Sequence, residues 1–591
     1  MQLSSLDWGI IALFFVVFLI IGLRVSKKAG SSSKEFFLSG RNMPWWLIGV
    51  SMVATTFSAD TPNLVTDIVR QNGVAGNWVW WAFLITGMLT VFVYAKLWRK
   101  SGVLTDLEFY ETRYSGKEAA FLRGFRAIYL GVFFNVMIMA SVSLAAIKIG
   151  EIMFGLEPWK TVVYASVITV AYSSLGGLRG VILTDFLQFI IAMVGSIAAA
   201  IYVVNLPEVG GLTELMAHPV VSTKLDVIPD ISNREMLITL LVIPLAVQWW
   251  SVWYPGAEPG GGGYVAQRML SAKNEKHAVS ATLLFNITHY ALRPWPWILI
   301  ALASLVVYPD VASIQEAFPN VSESKLGNDL GYSAMLLTLP KGLLGIVVAS
   351  LIAAYMSTIS THLNWGSSYV VFDFYKRFVN QEANEKQLVN VGRLSTVVLM
   401  VLAGLFALAL SNALDAFQIL LSIGAGTGSI FILRWFWWRI NAYSEITGMI
   451  VSFVLALLFK FGPESITSIS TDYQLLLSVG ITTLSWVAVT LLTRPTDYKT
   501  LQTFFNHVRP YGKGWNGFKK IASDNGMPLE QSVGRFSFDL TAMFAGIFIV
   551  YGLLFSIGQF IYGNTAYGLL FLAVTALSTF GLIRVWKKLS F

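Results

Sequence analysis

The sequence predicts an all-α polytopic membrane protein with about fifteen transmembrane helices. Of its 591 residues, 55% are hydrophobic and 13% are charged, whereas soluble domains carry about 25% charged residues. Apolar segments of roughly 20 residues, the length that crosses about 30 Å of hydrocarbon, recur along the chain. These segments are 7–24, 45–70, 74–98, 122–152, 159–175, 180–204, 235–255, 276–307, 338–375, 389–411, 413–438, 442–462, 472–492, 538–560 and 564–585.

The distribution of basic residues predicts how these helices are oriented. Basic residues concentrate in loops on one side of the predicted spans, whereas the loops near 205–233 and 308–335 carry few. Because the basic loops of membrane proteins are cytoplasmic, we expect the N-terminus outside and the C-terminus in the cytoplasm of a bacterial inner (plasma) membrane. The run from Trp8 to Leu23 has no basic region before it, so it is expected to remain as an uncleaved first helix. The basic loop residues are Lys96, Arg99, Lys100, Arg268, Lys273, Lys276, Lys376, Arg377, Arg439, Arg584, Lys587 and Lys588.

Composition and motifs exclude several classes of protein. The chain has no cysteine, which rules out disulfides and thiol chemistry. Its net charge of +8 comes from the loop residues, so it does not indicate nucleic acid binding. We expect no enzyme, because the sequence shows no metal-binding histidine cluster and no nucleophile elbow. The Gly260–Gly263 run lacks the Lys-Ser/Thr that a phosphate-binding loop requires. The expected partners are membrane lipids and a small solute, with no obligate protein partner.

Two predicted spans contain helix-breaking residues at membrane depth. The segment 45–70 holds Asp60 and Pro62 among several hydroxyl residues, and the segment 235–263 ends in a run rich in proline and glycine. The two spans are five apart, which suits two five-helix repeats. Broken helices at corresponding positions of two halves are the best sequence indication of a transporter binding site.

A third segment places four hydroxyl groups inside apolar sequence, between Ala354 and Thr361. A buried hydroxyl needs a partner, and a hard cation such as Na⁺ accepts only oxygen ligands. Carbonyls freed at Ala54 and Phe57 by the first broken helix could complete an oxygen cage. The alternative is that these hydroxyl groups only mediate helix packing. Asp185 is an intramembrane carboxylate, which is a functional candidate by default, or else a carboxylate at the end of a helix.

Several motifs resemble the sodium:solute symporter family, the group that contains the sodium/glucose cotransporters. The stretch from Tyr172 to Leu178, followed by Thr184 to Gln188, is similar to the signature of that family. The stretch from Phe37 to Arg41, with Pro44-Trp45-Trp46, matches the approach to its first core helix. Two further matches are Tyr264 with Gln267-Arg268, and Asp373 to Lys376.

The resemblance implies a LeuT-type core of two inverted five-helix repeats over 45–438. The remaining segments are 1–44, an extra N-terminal helix and cytoplasmic loop; 439–492, two peripheral helices; 493–537, a cytoplasmic amphipathic loop; and 538–591, two C-terminal helices. The basic loop also contains Trp515 and Phe518, and we expect it to lie on lipid headgroups.

The resemblance also implies sites for one or two sodium ions per cycle. The main sodium ion is expected at Ala54, Phe57, Ala354, Ser357 and Thr358. A second sodium ion, seen in part of the family, is expected at Asp185, Ser357, Ser360 and Thr361.

The resemblance implies a solute pocket between the two broken helices whose side chains differ from those of the sugar-transporting relatives. Tyr264 matches the aromatic inner gate, Asn135 matches a polar ligand, and His289 falls where a sugar-transporting relative has a lysine. The sugar-binding glutamate aligns with Val79, and a glutamine ligand aligns with Leu421. The complete expected set of solute-binding residues is Thr56, Asp60, Thr61, Trp78, Asn135, Trp253, Glu258, Tyr264 and His289. Trp78 and Trp253 belong either to interfacial belts or to this pocket.

The predicted function is a sodium-coupled secondary active symporter that imports a small polar solute by alternating access. A sugar is the first choice, and an anionic solute such as a sugar acid or carboxylate is the alternative. The alternative comes from His289 and from Arg293, which either pairs with a carboxylate such as Asp60 or binds a carboxylate of the substrate. A membrane sensor derived from a transporter and a channel are the other classes considered.

Overall fold

The computed structural model describes residues 3–251, 258–319, 321, 326–410, 426–532 and 534–589, and it confirms an all-helical membrane protein. In this part of the chain, 11 helices are long and apolar enough to cross a membrane. The principal helices are α1 (Ser5–Ala29), α2 (Trp45–Thr56), α3 (Thr61–Asn72), α4 (Val74–Ser101), α5 (Gly116–Glu151), α6 (Pro158–Val204), α7 (Gly263–Ser271), α8 (Glu275–Val307), α9 (Leu343–Val379), α10 (Glu385–Ala409), α11 (Ala442–Phe461), α12 (Thr471–Leu492), α13 (Tyr498–Val508), α14 (Asn516–Asp524), α15 (Phe536–Ile561) and α16 (Thr565–Trp586).

Short helices connect these elements. They are Ser33–Leu38, Glu108–Arg113, Leu212–Ala217, Pro219–Ser222, Arg234–Leu237, Ile238–Val242, Ile243–Ala246, Val311–Ala317, Leu330–Leu336 and Glu464–Thr467.

The predicted count of about fifteen spans is not confirmed, and the broken spans explain part of the difference. The predicted span 45–70 is divided into α2 and α3 by four residues, because Pro62 begins a new helix and cannot continue the old one. The predicted spans 159–175 and 180–204 both lie in α6, where two helices meet at Gly177, whose backbone is not helical, with φ of 52° and ψ of −164°. Parts of the predicted spans 235–255 and 413–438 lie outside the described residues, as does Leu421.

The helices α3, α6, α8 and α9 enclose the break between α2 and α3, and most of the residues facing it are buried. The helix α9 is the most enclosed of them and carries the hydroxyl run, of which Ser357, Thr358, Ser360 and Thr361 are all buried. This arrangement places the hydroxyl run beside the end of α2, as the sequence predicted.

The N-terminal helix α1 supports the beginning of α9. The buried carboxylate of Asp7 accepts hydrogen bonds from the backbone nitrogens of Gly342, at 2.7 Å, and Gly345, at 2.8 Å. These are donors at the start of a helix, which have no partner within that helix. Asp7 therefore joins the extra helix to the helix that carries the hydroxyl run.

Aromatic side chains of the loop 493–537 pack on the protein, and its contact with lipid headgroups stays a prediction. Phe504 and Phe505 of α13 and Phe518 of α14 are buried, and the buried Trp515 donates its Nε1 hydrogen to the Trp435 carbonyl at 2.9 Å. The buried ion pair between Lys96 and Asp539, at 2.8 Å, joins α4 to α15 next to this loop. The amphipathic pattern was predicted, whereas the surface that its apolar side covers was not.

We predict that Asp7→Ala lowers the free energy of unfolding by about 1–3 kcal/mol, because the buried Gly345 nitrogen and the partly buried Gly342 nitrogen lose their acceptor. The measurement is denaturant unfolding in detergent. Asp497→Ala is the matched control, because Asp497 caps α13 in the same way from an exposed position. Equal losses in the two variants would contradict the role given to Asp7.

Candidate functional site

The end of α2 leaves backbone oxygens that cannot find partners inside the helix. The Phe57 nitrogen reaches the carbonyls of Val53, at 2.9 Å, and Ala54, at 3.1 Å. The Thr61 hydroxyl lies 3.4 Å from the Thr56 carbonyl. The Thr55 carbonyl accepts a hydrogen bond from outside the helix, from the Thr358 hydroxyl at 2.8 Å.

Three oxygens of two helices converge at this break. The Thr358 hydroxyl lies 2.8 Å from the Thr55 carbonyl and 3.1 Å from the Ala354 carbonyl. All three residues are buried, with exposed fractions of 2% or less. Because this group contains only hydroxyl and carbonyl oxygens, it matches the ligand preference of a hard monovalent cation. In the described residues, no cluster of three or more His, Cys, Asp or Glu side chains suits a transition metal or another multivalent ion.

The remaining residues expected at the main sodium site are placed differently. The Ser357 hydroxyl donates to Asp185 at 2.7 Å rather than pointing at the break. The Ala54 carbonyl accepts from the Phe57 nitrogen, and the Phe57 ring packs edge-on against Trp297 with centroids 4.8 Å apart. The structure thus brings Ala354 and Thr358 together with the Thr55 carbonyl.

The residues expected at the second sodium site surround a buried carboxylate. Asp185 accepts from Ser51 at 2.5 Å and from Ser357 at 2.7 Å. Thr361 contacts the Thr55 hydroxyl at 3.0 Å, and the Ser360 hydroxyl donates to the Ser357 carbonyl at 3.1 Å.

A guanidinium group also enters this cluster. Arg268 lies 3.6 Å from Asp185 and donates to Thr361 at 2.7 Å and to Ser51 at 3.2 Å. All of these side chains are buried. A sodium ion at Asp185 would therefore share the carboxylate with Arg268.

Sequence reasoning missed three contributors to these two clusters: Ser51, Thr55 and the side chain of Arg268. Ser51 and Thr55 are four residues apart in an apolar helix, so they lie on the same face, and this spacing could have identified them. The pairing of Arg268 with Asp185 joins residues that are far apart in the sequence and has no local signal.

Some of the residues expected at the solute site meet around Thr56. Its hydroxyl donates to the Val53 carbonyl at 2.9 Å, contacts His289 Nδ1 at 2.9 Å and accepts from Arg293 at 3.1 Å. His289 lies on a π-helical turn within α8, Thr288–Leu292, a feature that is frequent at functional sites. Asp60 lies close enough to Arg293 for their charges to interact.

Aromatic rings border this polar group. The Trp80 ring stacks on Tyr290 with centroids 5.9 Å apart and meets the His289 ring edge-on at 5.8 Å. The Arg293 guanidinium lies over the Trp297 ring, 5.0 Å from its centroid. The site therefore combines polar groups with flat apolar surfaces.

The other five expected solute ligands are engaged elsewhere, are buried on α7 or lie outside the described residues. Asn135 donates to the His362 carbonyl at 2.8 Å. The Trp78 indole donates to the Val227 carbonyl at 2.9 Å, and its ring faces Tyr551 of α15. Glu258 forms ion pairs with two arginines, and Trp253 lies outside the described residues. Tyr264 is buried on α7, with its ring 6.1 Å from that of His362.

Comparisons with known proteins agree with this arrangement. A model of the sodium:solute symporter family matches residues 36–452. The sodium/glucose cotransporter of Vibrio parahaemolyticus is 27% identical over 484 residues, which are 78% of this chain and 86% of that protein. The sodium/glucose cotransporter 1 of Oryctolagus cuniculus is 25% identical over 545 residues, which are 83% of this chain and 80% of that protein.

The fold is also similar to that of a solved structure. A Na⁺-coupled sialic acid symporter, in a substrate-bound outward-open state, superimposes with a TM-score of 0.66. The two chains are 20% identical, and the match covers 84% of this chain and 100% of the other. This likeness shows a LeuT-like transporter fold.

Proposed function

The chain belongs to the sodium:solute symporter family, and we propose that it imports a small polar solute together with sodium by alternating access. The observation that carries this proposal is the convergence of Thr358, Ala354 and Thr55 at the break between α2 and α3. Unwound backbone at membrane depth is a recurrent cation site in transporters of this kind. The proposed setting is a bacterial inner membrane, with the N-terminus outside and the C-terminus in the cytoplasm.

In this proposal sodium binding links the two sides of the site. A cation between the end of α2 and the hydroxyl of α9 holds the broken helix against its neighbour. Thr56, the next residue after the Thr55 carbonyl, contacts His289 and Arg293. The position of the ion and the shape of the solute site are therefore joined through one peptide unit.

We predict that Thr358→Val raises the sodium concentration for half-maximal uptake about tenfold, because loss of one ligand worth about 1.4 kcal/mol changes affinity tenfold. The measurement is solute uptake by proteoliposomes at varied sodium concentration. The control is Thr396→Val, because Thr396 is buried on α10 and bonds only Ser367 and the Gly392 carbonyl. An unchanged sodium dependence in folded Thr358→Val protein would refute the assignment.

A second sodium ion is proposed at Asp185, Ser357, Ser360 and Thr361. Removing Asp185 would leave the charge of Arg268 buried without its partner, which is strongly destabilising. Ser360→Ala is a gentler probe, because the Ser360 hydroxyl bonds only the Ser357 carbonyl.

We predict that Ser360→Ala lowers the Hill slope for sodium toward one while the thermal stability changes little. The readouts are the sodium dependence of uptake and the charge moved per solute. Asp185→Asn should lower the slope in the same way and also reduce stability. A wild-type slope near one, with one charge moved per neutral solute, would exclude the second ion.

A sugar is the first proposed substrate. The relatives from Vibrio parahaemolyticus and Oryctolagus cuniculus, which are 27% and 25% identical, are described as sodium/glucose cotransporters. Hydroxyl and imidazole groups at Thr56, Thr61 and His289 suit sugar hydroxyls, and the rings of Trp80 and Tyr290 offer flat surfaces beside them.

An anionic solute is the second candidate, and Arg293 is the observation that favours it. In the described part of the chain, its guanidinium contacts a hydroxyl and an imidazole rather than a carboxylate, and its buried Nε has no hydrogen-bond partner. A carboxylate of the substrate would supply a charged partner. The transporter with the similar fold is described as a sialic acid symporter.

The variant Arg293→Gln separates the two substrate classes. For an anionic solute, we predict loss of all measurable binding in folded protein, because a buried carboxylate loses its charged partner. For a neutral sugar, binding should survive, and the change should mainly affect stability. The measurement is a thermal-shift assay with sugars and sugar acids in sodium and in potassium buffer, since ligand binding raises apparent stability. Loss of sugar binding in folded Arg293→Gln protein would contradict the second part of this prediction.

A further inference from the structure

A cluster of four buried charges surrounds Glu258, in the segment that precedes α7. The Gly260 carbonyl in this segment accepts a hydrogen bond from Trp98, the neighbour of the predicted cytoplasmic residue Arg99. Glu258 forms an ion pair with Arg126 of α5 through one carboxylate oxygen. Its other oxygen lies 3.5 Å from Arg434. The three residues have exposed fractions of 4%, 3% and 1%, respectively. Glu258 therefore connects the segment that precedes α7 to two other parts of the protein.

Glu445, at the start of α11, completes the cluster. Its carboxylate oxygens lie 3.8 Å from Arg126 and 3.8 Å from Arg434, and it accepts a hydrogen bond from Tyr114 at 2.6 Å. Two positive and two negative charges thus face one another in a closed arrangement. Each glutamate contacts both arginines, so no charge in the cluster depends on a single partner.

Glycines after Glu258 allow the backbone to pack closely against neighbouring elements. Gly260 and Gly261 have φ values of 84° and 88°, which side-chain-bearing residues rarely adopt. A Cβ atom at Gly260 would also lie 3.1 Å from the Tyr94 ring. The Gly263 nitrogen, where α7 begins, donates to Asp106 at 2.8 Å. The glycine run therefore lets this segment reach both α4 and the loop that follows it.

A small cavity, mainly apolar with a few polar groups, lies between this cluster and the solute site. It has a volume of about 40 Å³ and is lined by Glu258, Tyr264, Thr90 and Asn286, and also by Tyr290, the neighbour of His289. Because one water occupies about 30 Å³ of liquid, a sugar-sized solute does not fit. Among the described residues, the buried Oδ1 atom of Asn286 has no hydrogen-bond partner.

We propose that this cavity is the closed inner end of the solute pathway and that Glu258, Arg126, Arg434 and Glu445 form the ion-pair latch that keeps it closed. This inference rests on the proposed transport function. Charged groups suit such a latch, because water solvates them when the segment moves away. An apolar seal would instead lose its free energy of burial on opening. The Asn286 amide would then meet the solute as it leaves.

The absence of cysteine from the chain allows a direct test by thiol labelling. Asn286→Cys places a single thiol in the cavity, and a membrane-impermeant thiol reagent is applied to inside-out vesicles in sodium-free buffer. We expect Glu258→Gln to increase the rate of labelling about tenfold, because a shift of about 1.4 kcal/mol between closed and open states changes their ratio tenfold.

Asp539→Asn in the same Asn286→Cys background is the matched control. It breaks another buried ion pair near the same side of the protein, between Asp539 and Lys96, that does not border the cavity. We expect its labelling rate to equal that of the Asn286→Cys protein without a second substitution. An unchanged rate in folded Glu258→Gln protein, or an equal increase in both variants, would overturn the latch.

Crosslinking provides a second measurement, in which a reversible covalent bridge takes the place of the ion pair between Arg126 and Glu258. Arg126→Cys with Glu258→Cys is treated with a short bifunctional thiol crosslinker that is cleaved by reduction. We expect uptake to stop on crosslinking and to return on cleavage, whereas each single variant is unaffected by the reagent. Continued uptake by fully crosslinked protein would overturn the proposal.

The labelling experiment needs neither sodium nor a known solute, so it is independent of the proposed function. Faster labelling in Glu258→Gln protein, together with no sodium-coupled uptake of any solute by the unaltered protein, would support the latch and count against symport. Sodium-coupled uptake with unchanged labelling would support symport and overturn the latch.

Discussion

The structure depends on one constraint: a helix that breaks inside hydrocarbon frees backbone oxygens that no water can reach. Three groups supply hydrogen bonds to the carbonyls at the end of α2: the Phe57 nitrogen, the Thr61 hydroxyl and the Thr358 hydroxyl. The last of these comes from another helix, so the break is completed only when α9 packs beside α2. The same contact assembles the proposed cation site, which means that folding and ion binding use the same oxygens.

The second consequence of burial is that charges inside the protein occur in groups. Asp185 and Arg268 are compensated by three hydroxyl groups as well as by each other. Glu258 lies between two arginines. A buried ion pair gains little over apolar packing, but removing one partner is costly. These clusters therefore fix relative positions of helices more than they add to stability, which suits a protein that must exchange one arrangement for another.

The sequence predicted the parts of the site that are encoded locally. Pro62 marks a helix break, and the hydroxyl run on α9 marks a polar patch. Both signals come from residues that are close together in the sequence, and both features lie where expected. Motifs shared with the family located Asp185 and His289. In contrast, Glu258 was expected in the solute site and instead binds Arg126, because its partners lie far away in the sequence. For the same reason, the protein surface against which aromatic side chains of the loop 493–537 pack was not predicted, since amphipathicity shows that a face is covered but not by what.

The short helix α7 connects the two ends of this system. At its first residue, the Gly263 nitrogen is held by Asp106, next to the cluster around Glu258. Near its other end, Arg268 contacts Asp185. With nine residues, α7 is about 13 Å long, and a helix of that length moves as a unit. A cation that alters the contact between Asp185 and Arg268 therefore acts on the same rigid element whose beginning adjoins the proposed latch. In the proposed mechanism, α7 would couple sodium binding at Asp185 to opening of the inner end, without direct contact between the ion and the latch.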